Sequence, residues 1–270
     1  MLDIEFAELS DTGPTRKNNE DSCGHYLPAT PEEAQLRGWC FAIADGVGGQ
    51  EGGEVASALA IDTILTRLPS VSANESLTTA LGRIVQMANQ RVYEASAVGF
   101  RMGSIATTIV ACALRYDRAV VAHVGDSRCY LVRRGQVEAL TRDHTVASEH
   151  LRLGILSSRQ ALSANTSNIL SRCLGSEMFV NVETSDHLVT GGDVLLLCSD
   201  GLHRSVTSGD IAELVGPKAD LEAAAAKLVA LANTRDGSDN VSVQLIRIRA
   251  VESVGMYRGR LYKLPRAPFS

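Results

Sequence analysis

Three aspartates in this sequence share one local setting beside an apolar run. Asp45 and Asp200 each end such a run and are followed by glycine, whereas Asp239 directly precedes one. Strand ends meet at the rim of a sheet, where a carboxylate is held rigidly and still reaches solvent, and glycine allows close approach of other atoms. Carboxylate, carbonyl and water oxygens are the ligands that Mg²⁺ and Mn²⁺ prefer, while zinc favours histidine or cysteine. The pattern therefore predicts a site for a hard divalent cation.

The number of acids at strand boundaries decides between a metal site and ordinary turns. A single Asp-Gly pair after a strand is usually a tight turn. Here Glu20, Asp21 and Asp126 also lie at predicted strand boundaries. Carboxylates that cluster repel one another unless cations lie between them. The spacing thus predicts a metal site, but it does not specify a reaction.

The elements that must hold these acids are runs of strands, with helices before and after them. Strand patterns cover residues 38–44, 104–115, 119–125, 128–133, 136–141, 180–185, 194–199 and 240–248. Helical patterns cover residues 55–68 and 77–92 and return near 210–215 and 221–233. We expect Asp45 to end its strand, Ser72 and Glu75 to form a capping box, and the alternation of the last strand to slip at Leu245–Ile246. This grouping predicts an α+β fold of packed sheets covered by helices.

Composition sets the broad class of the protein. With 45% hydrophobic and 21% charged residues among 270, and no linker or repeat, the chain predicts one globular domain. A net charge of −5 disfavours a nucleic-acid partner. The first residues do not form a secretory signal, and apolar runs such as 194–198 are too short to span a membrane. Six scattered cysteines without a Cys-x-x-Cys pair predict reduced thiols in a cytoplasmic protein.

Five short motifs follow one another along the chain. They are Arg16-x-x-Asn19-Glu20-Asp21, Asp45-Gly46-Val47-Gly48-Gly49, Gly125-Asp126-Ser127-Arg128, Asp200-Gly201 and Asp239-Asn240. In this order, with the connecting phrases at 140–144 and 170–175, they resemble the protein phosphatase 2C family over roughly residues 5–249. Each motif is weak alone, but the ordered set is specific.

The resemblance implies both a fold and an activity. The fold is a four-layer α-β-β-α sandwich, in which two antiparallel sheets are flanked by helices and a dinuclear metal site lies at one end. The implied catalytic domain covers residues 1–249, and residues 250–270 form a C-terminal extension of unknown role. The activity is hydrolysis of phosphoserine and phosphothreonine in proteins. Implied partners are these phosphoproteins and, as for short bacterial members, a Ser/Thr protein kinase and its substrates.

The resemblance also implies a set of metal ligands for Mn²⁺ or Mg²⁺. Asp45 would bridge two ions, and the carbonyl of Gly46 would bind one of them. Asp200 and Asp239 would complete the shell of the other ion. A third, weaker ion would lie between Asp126 and Asp200, although Asp126 also suits an ordinary turn role. Two such ions lower the pKa of a shared water and clamp phosphate oxygens for in-line attack, so no covalent phosphoenzyme is required.

Three further residues receive roles in catalysis from the same resemblance. Arg16 would hold the substrate phosphate by a two-pronged contact. Glu20 and Asp21 would act mainly through coordinated waters, Asp21 as an outer metal ligand. The chain departs from the family at Val47, where some members carry a histidine that serves as general acid. It also stretches the usual Gly-Thr-Thr phrase over residues 103–108.

Residues 145–168 lack a clean periodicity, which predicts a small helical excursion and a mobile surface flap that reads the protein around the phosphorylated residue.

Two other functions stay open beside the phosphatase. A Gly-Asp-Ser serine esterase would use Ser127, Asp200 and His203, although a triad is established by geometry. The non-enzyme alternative is a catalytically silent phosphoprotein-binding module. A Rossmann site is disfavoured because Glu51 stands where its third glycine belongs.

Overall fold

The computed structural model of the protein describes residues 2–47, 52–72, 75–99, 105–157, 160, 169–251, 254–257 and 260–263. Its strands are β1 (Asp3–Asp11), β2 (Asp21–Tyr26), β3 (Trp39–Val47), β4 (Ala106–Thr107), β5 (Ile109–Arg115), β6 (Arg118–Val124), β7 (Arg128–Arg133), β8 (Gln136–Ala139), β9 (Glu183–Leu188), β10 (Val194–Cys198), β11 (Val241–Ala250), β12 (Val254–Tyr257) and β13 (Arg260–Lys263). Its helices are α1 (Pro31–Leu36), α2 (Gly53–Arg67), α3 (Leu77–Gly99), α4 (Val146–Arg152), α5 (Asp200–His203), α6 (Ser208–Leu214) and α7 (Leu221–Arg235), with a short 3₁₀ turn at Leu68–Ser70.

The strands form two main sheets. One has the order β1-β11-β10-β7-β8, and the other has the order β2-β3-β5-β6-β9 with β4 beside β3. All pairings between the described strands are antiparallel. Strands β12 and β13 form a separate hairpin within the predicted C-terminal extension. The two-sheet prediction is therefore confirmed.

Three hydrophobic cores separate four layers. The inner faces of the two sheets meet around side chains such as Phe41, Ile43, Leu195 and Leu197. Helices α2 and α3 cover the outer face of the β3 sheet, and α6 and α7 cover the outer face of the β10 sheet. Full burial of one such side chain contributes about 1.5–3 kcal/mol. The sandwich thus fixes both sheets, and their rims, relative to each other.

Several sequence predictions need correction. Strand β3 continues to Val47, so Asp45 lies inside the strand and does not end it. Strand β9 begins at Glu183 rather than at 180. Helix α3 begins at Leu77, where Ser76 Oγ accepts from Thr79 N at 3.1 Å, while the Glu75 carboxylate pairs with Arg83. Ser76 rather than the predicted Ser72 therefore stands at the start of the helix.

The apparent slip of alternation at Leu245–Ile246 is not a change of register. Strand β11 pairs continuously with β10 and β1 at this point, and the irregularity lies near its end, opposite Asp3 and Ile4. Leu245 faces the helix-covered core and Ile246 faces the core between the sheets. Both faces of β11 are buried, which removes the simple alternation expected of a half-exposed strand.

The cysteines agree with their predicted state, because all six are free thiols and Cys40, Cys112, Cys129 and Cys198 are buried. Over the described part of the chain, no helix is long and apolar enough to cross a membrane.

Candidate active site

The aspartates singled out from the sequence meet at one rim of the sandwich. In the register of β2 and β3, Asp21 lies directly opposite Asp45. Asp200 opens α5 immediately after β10, and Asp239 lies two residues before the neighbouring strand β11. Asp45, Asp200 and Asp239, but not Asp21, line a cleft of about 580 Å³. Its lining residues are Arg16, Glu20, Asp45, Gly46, Val47, Thr108, Asp126, Ile169, Leu170, Cys173, Asp200, Arg204 and Asp239.

Two threonines hold the backbone of Asp45. Thr108 Oγ1 accepts from Asp45 N at 3.0 Å, and Thr108 N donates to Asp45 O at 2.8 Å. Thr107 Oγ1 also donates to Asp45 O, at 2.8 Å. Thr108 Oγ1 shares a 2.7 Å bond with Ser127 Oγ. These contacts give the stretched Gly-Thr-Thr phrase a function, because Thr107 and Thr108 fix the position of Asp45. Residues 103 and 104 of the phrase lie outside the described chain.

A second network fixes Asp21 and the first motif. Asp21 N donates to Asn19 Oδ1 at 3.1 Å, and Ser199 Oγ donates to Asp21 Oδ2 at 2.7 Å. Asn240 joins the first and last motifs, because its Oδ1 accepts from Glu20 N at 2.8 Å and its Nδ2 donates to the carbonyls of Thr12 and Asn18. Asn240 is therefore a positioning residue, which its place directly after Asp239 in the motif did not reveal.

The glycines that follow two of the aspartates lie against backbone. A Cβ on Gly46 would stand 2.4 Å from the carbonyl of Gly53 and 2.7 Å from that of Glu20. A Cβ on Gly201 would stand 2.1 Å from the carbonyl of Asn240. Any larger residue would push these segments apart, so both glycines allow the close packing of the rim.

The carboxylates are buried close to one another, and both their burial and their mutual repulsion raise their pKa values. Burial, with the charges of neighbouring aspartates, raises the pKa of Asp45 well above its usual range and that of Asp21 to about 7. Burial raises the pKa of Asp126 to about 7, and the charge of Asp200 adds to the effect. Such a cluster is costly without bound cations.

The same residues pass a direct test for a hard metal. Asp21 Oδ1 and Asp200 Oδ1 are buried and have no hydrogen-bond partner within the described chain. A buried oxygen without a donor is costly, and a cation would satisfy it. The four lining aspartates and Glu20, Thr108 and Gly46 supply oxygens to the cleft, whose described lining includes a single thiol, Cys173, and no histidine. The donor set therefore fits Mg²⁺ or Mn²⁺ rather than zinc.

Arg16 lies at one end of the cleft, where it contacts an aspartate. Its Nη2 is 2.9 Å from Asp239 Oδ1 and 2.9 Å from Oδ2, and its Nε donates to Ser238 O at 3.2 Å. Burial would lower the pKa of the guanidinium, but the charge and hydrogen bond of Asp239 outweigh it and raise that pKa. A cation beside the acidic cleft is placed to bind an anion that enters it.

A second arginine, Arg204, also lines the cleft, and the sequence motifs did not indicate it. Arg204 Nη2 lies 2.5 Å from Asp200 Oδ2 and 3.9 Å from Asp126 Oδ2. The preceding residue, His203, donates from Nε2 to the carbonyl of Asp126 at 2.9 Å. Burial lowers the pKa of His203 to about 3, so the ring is neutral. Both side chains join α5 to the loop that carries Asp126.

The loop from Gly125 to Arg128 is anchored from behind. Arg128 makes a two-pronged bond to Asp143, at 2.8 and 2.7 Å, which joins the fourth residue of one motif to the phrase at 140–144. His144 N donates to Gly125 O, and His144 Nδ1 accepts from Gly125 N. These contacts account for the phrase at 140–144 as a support of the loop that carries Asp126.

His123, His144 and Glu183 come together behind this loop in a cluster with the atoms of a metal site. The hydrogen bonds assign it another role. His144 Nδ1 accepts from Gly125 N, so its proton is on Nε2, which donates to Glu183 at 3.2 Å. His123 Nε2 donates to Arg142 O at 2.9 Å. His144 therefore supports the loop by accepting from Gly125, and the protons of the two stacked rings go to Glu183 and to the carbonyl of Arg142.

The serine esterase alternative is not supported by the geometry. Ser127 is buried and its hydroxyl bonds to Thr108 Oγ1. His203 donates to the carbonyl of Asp126, and Asp200 pairs with Arg204. Within the described chain, no hydrogen bond joins Ser127, His203 and Asp200 to one another. A nucleophile-base pair needs such a bond, so this triad is not assembled.

A sequence profile of the protein phosphatase 2C family matches residues 17–242. The serine/threonine phosphatase stp of Listeria innocua is 32% identical over 240 residues, which cover 88% of this chain and 93% of that protein. The crystal structure of the Mycobacterium tuberculosis serine/threonine phosphatase PstP/Ppp superposes with a TM-score of 0.80 at 30% identity, covering 92% of this chain and 100% of that one. The catalytic domain of PstP in complex with two manganese ions gives a TM-score of 0.77 at 30% identity, over 92% of this chain and 99% of that one.

The two-sheet sandwich with an acidic, oxygen-lined cleft at its rim defines a metal-dependent phosphatase. The match over most of its length shows that this chain belongs to the protein phosphatase 2C family.

Proposed function

We propose that the protein is a Mn²⁺- or Mg²⁺-dependent phosphatase that hydrolyses phosphoserine and phosphothreonine in proteins. The observation that carries this proposal is the meeting of Asp21, Asp45, Asp200 and Asp239 at one rim, with two buried carboxylate oxygens that lack a donor. The names of the relatives, which are serine/threonine phosphatases, support the same activity.

We assign the metal ligands as the residues that the five motifs supply. Asp45 and the carbonyl of Gly46 would hold the ions at the centre, and Asp200 and Asp239 would hold them from the other sheet. The unpartnered Oδ1 of Asp200 supports this assignment. Asp21, opposite Asp45 in the sheet register, would lie in the outer shell. When bound, two ions supply the acidity that activates water and the positive charge that offsets the phosphate oxygens.

The side chains that face the substrate would have simpler tasks. Arg16 would bind phosphate oxygens through the guanidinium that now contacts Asp239. Glu20 and Asp21 would accept hydrogen bonds from waters in the cleft and so orient them for in-line attack on phosphorus. Val47 carries no titratable group, so the leaving oxygen would take its proton from water or from another group of the cleft. No side chain would form a bond to phosphorus.

The experiment that tests the proposal is turnover of an aryl phosphate and of a phosphothreonine peptide with Mn²⁺, with excess chelator, and after Mn²⁺ is restored. We expect activity with Mn²⁺, loss in chelator and recovery on restoration. Undiminished turnover in excess chelator would falsify the proposal. Binding of the phosphopeptide without turnover, with Mn²⁺ bound, would favour the silent phosphoprotein-binding module.

We assign the catalytic domain to residues 1–249 and treat 250–270, with its β12–β13 hairpin, as an appended segment. Physiological substrates would be products of a Ser/Thr protein kinase, because a Ser/Thr phosphatase acts on phosphorylated proteins. A cytoplasmic location is supported by six free thiols, which persist in reducing compartments.

A further inference from the structure

Arg204 lies between the two carboxylates that a third metal ion would need. Its Nη2 is 2.5 Å from Asp200 Oδ2 and 3.9 Å from Asp126 Oδ2. The exposed fractions of these residues are only 7% for Asp200 and 5% for Asp126. A guanidinium in this position compensates both negative charges with the protein's own cation.

The position of Arg204 is built into the fold. Arg204 N donates to Asp200 O at 3.0 Å, so the single turn of α5 returns the side chain to the carboxylate four residues earlier. The neighbouring His203 donates to the carbonyl of Asp126 at 2.9 Å. One short segment thus holds Asp126 by its backbone and by its charge, which keeps Arg204 beside both carboxylates.

The two oxygens of Asp200 have different surroundings. Oδ2 pairs with Arg204, whereas Oδ1 is buried and has no partner in the described chain. Asp200 can therefore offer Oδ1 to the proposed metal pair while Oδ2 stays with the arginine. A third ion between Asp126 and Asp200 would compete for Oδ2 and would meet a positive charge already in place.

We infer that Arg204 is an internal cation that takes the place of a third metal ion between Asp126 and Asp200. This inference rests on the proposed two-metal site and adds a limit to it, because the wild-type protein should bind two ions and no third. The weaker ion that the family resemblance implies at Asp126 should bind only after Arg204 has been removed.

The test is calorimetric titration of Mn²⁺ into the chelator-stripped full chain. Arg204→Met removes the charge and keeps most of the stem, while Arg83→Met is the matched control. Arg83 also pairs with an acid, Glu75, but it lies on α3 and does not line the cleft. The double variant Arg204→Met with Asp126→Asn removes both the cation and one carboxylate. Circular dichroism and thermal melting check that each variant is folded.

We expect two binding events in the wild type and in Arg83→Met, three in Arg204→Met, and two again in the double variant. Equal numbers of events in the wild type and Arg204→Met would overturn the inference, as would a third event in the wild type. If Arg204→Met does not fold, the count in the wild type and in Arg204→Lys decides, since both should stay at two. Absence of any Mn²⁺ binding to the wild type would instead overturn the proposed function, and the inference with it.

Discussion

The two arginines of the cleft contact aspartates in different ways. Arg16 comes from the loop between β1 and β2 and reaches Asp239 from a distant part of the chain, with 42% of its side chain exposed. Arg204 lies one helical turn from Asp200 and is 29% exposed. Asp239 is itself partly exposed, whereas Asp200 and Asp126 are buried.

The comparison shows that one ion pair can be easily broken while a similar one is held in place. An exposed pair contributes about 0–1 kcal/mol, so Arg16 can leave Asp239 for a phosphate at little cost. Removal of Arg204 would leave two buried carboxylates without a cation, which is far more costly. We therefore expect Arg16 to move between partners during turnover and Arg204 to stay in place.

The largest effect should follow replacement of Asp45, which lines the cleft together with both arginines. Asp45→Asn removes the carboxylate that would join both metal ions, and we expect kcat to fall by orders of magnitude and Mn²⁺ binding to be lost. The metal-free protein should not be destabilised, because a carboxylate with a strongly raised pKa is replaced by a neutral amide. Steady-state kinetics, calorimetry and thermal melting measure the three quantities.

The matched control for this change is Asp186→Asn. Asp186 lies on β9, pairs with Arg118 and is outside the cleft, so its replacement should leave turnover and metal binding unchanged. Full activity of Asp45→Asn would remove Asp45 from the site.

The second prediction separates the two arginines by kinetics. Arg16→Ala should weaken phosphate capture, at a cost of about 2 kcal/mol or roughly 30-fold in kcat/KM, because a charge-assisted contact is lost. The change should appear mostly in KM if the contact is equal in the ground and transition states. Arg16→Lys, which keeps the charge but not the fork, should recover only part of the loss.

Mn²⁺ binding to Arg16→Ala should stay at the wild-type number of ions, in contrast to the gain expected for Arg204→Met. Unchanged kinetic constants in Arg16→Ala would show that Arg16 does not contact the substrate.

The third prediction concerns the pH dependence of the metal-free protein. The pKa values of Asp21 and Asp126 are raised to about 7, above the value of about 3.9 expected in the unfolded chain. Between about pH 4 and pH 7 the unfolded chain has already lost these protons, so Asp21 and Asp126 contribute a fall in the free energy of unfolding as pH rises through this window. Burial lowers the pKa of His203 to about 3 and that of His144 to about 4, so these two rings contribute a rise over the same window. Asp126→Asn should remove the fall due to Asp126, so its free energy of unfolding should increase more with pH, or decrease less, than that of the wild type.

Urea unfolding in excess chelator at several pH values measures this dependence. Saturating Mn²⁺ should remove much of it, because a ligand that binds only the folded state stabilises that state. An identical pH dependence in the wild type and in Asp126→Asn would contradict the assignment of Asp126 as a buried acid with a raised pKa.

The sequence predicted the site better than it predicted the local elements. The ordered motifs supplied Asp21, Asp45, Asp126, Asp200 and Asp239, and the structure brings all of them to one cleft or directly behind it. The motifs were informative because each places a residue type of definite chemistry inside or next to a strand.

The supports of the site could not be read in the same way. Arg204 follows a motif but is not part of it, and its role depends on Asp126, which is distant in sequence and close only in the fold. The start of α3 was placed at Ser72 because a capping box is a local pattern, whereas Ser76 caps the helix that packing selects. No bounds could be read from the sequence for β1 or for the strand that begins at Asp21, because their burial is partial and their apolar pattern is weak.

The smallest effect should come from the segment that follows the loop phrase at 140–144 and is joined to the cleft through Ile169. The predicted flap at 145–168 begins with α4, and residues 158–159 and 161–168 lie outside the described chain, including the Arg159 that we also expect to contribute. Val146 N donates to Ile169 O, and Ile169 lines the cleft. After α4 come Leu153 and Ile155, which are each 62% exposed. Exposed apolar side chains on a segment that is joined to the cleft lining are suited to contact a protein substrate.

Replacing Leu153 and Ile155 together by serine should lower kcat/KM for a phosphopeptide about fivefold, which corresponds to roughly 1 kcal/mol of lost apolar contact. Turnover of an aryl phosphate should not change, because that substrate has no flanking residues. Arg152→Ala should act in the same direction and more weakly, since Arg152 already pairs with Glu149. Leu188→Ser is the matched control, being 53% exposed on β9 and outside the cleft. Equal losses on both substrates would mean that the segment only covers the sheet edge and does not read the protein around the phosphate.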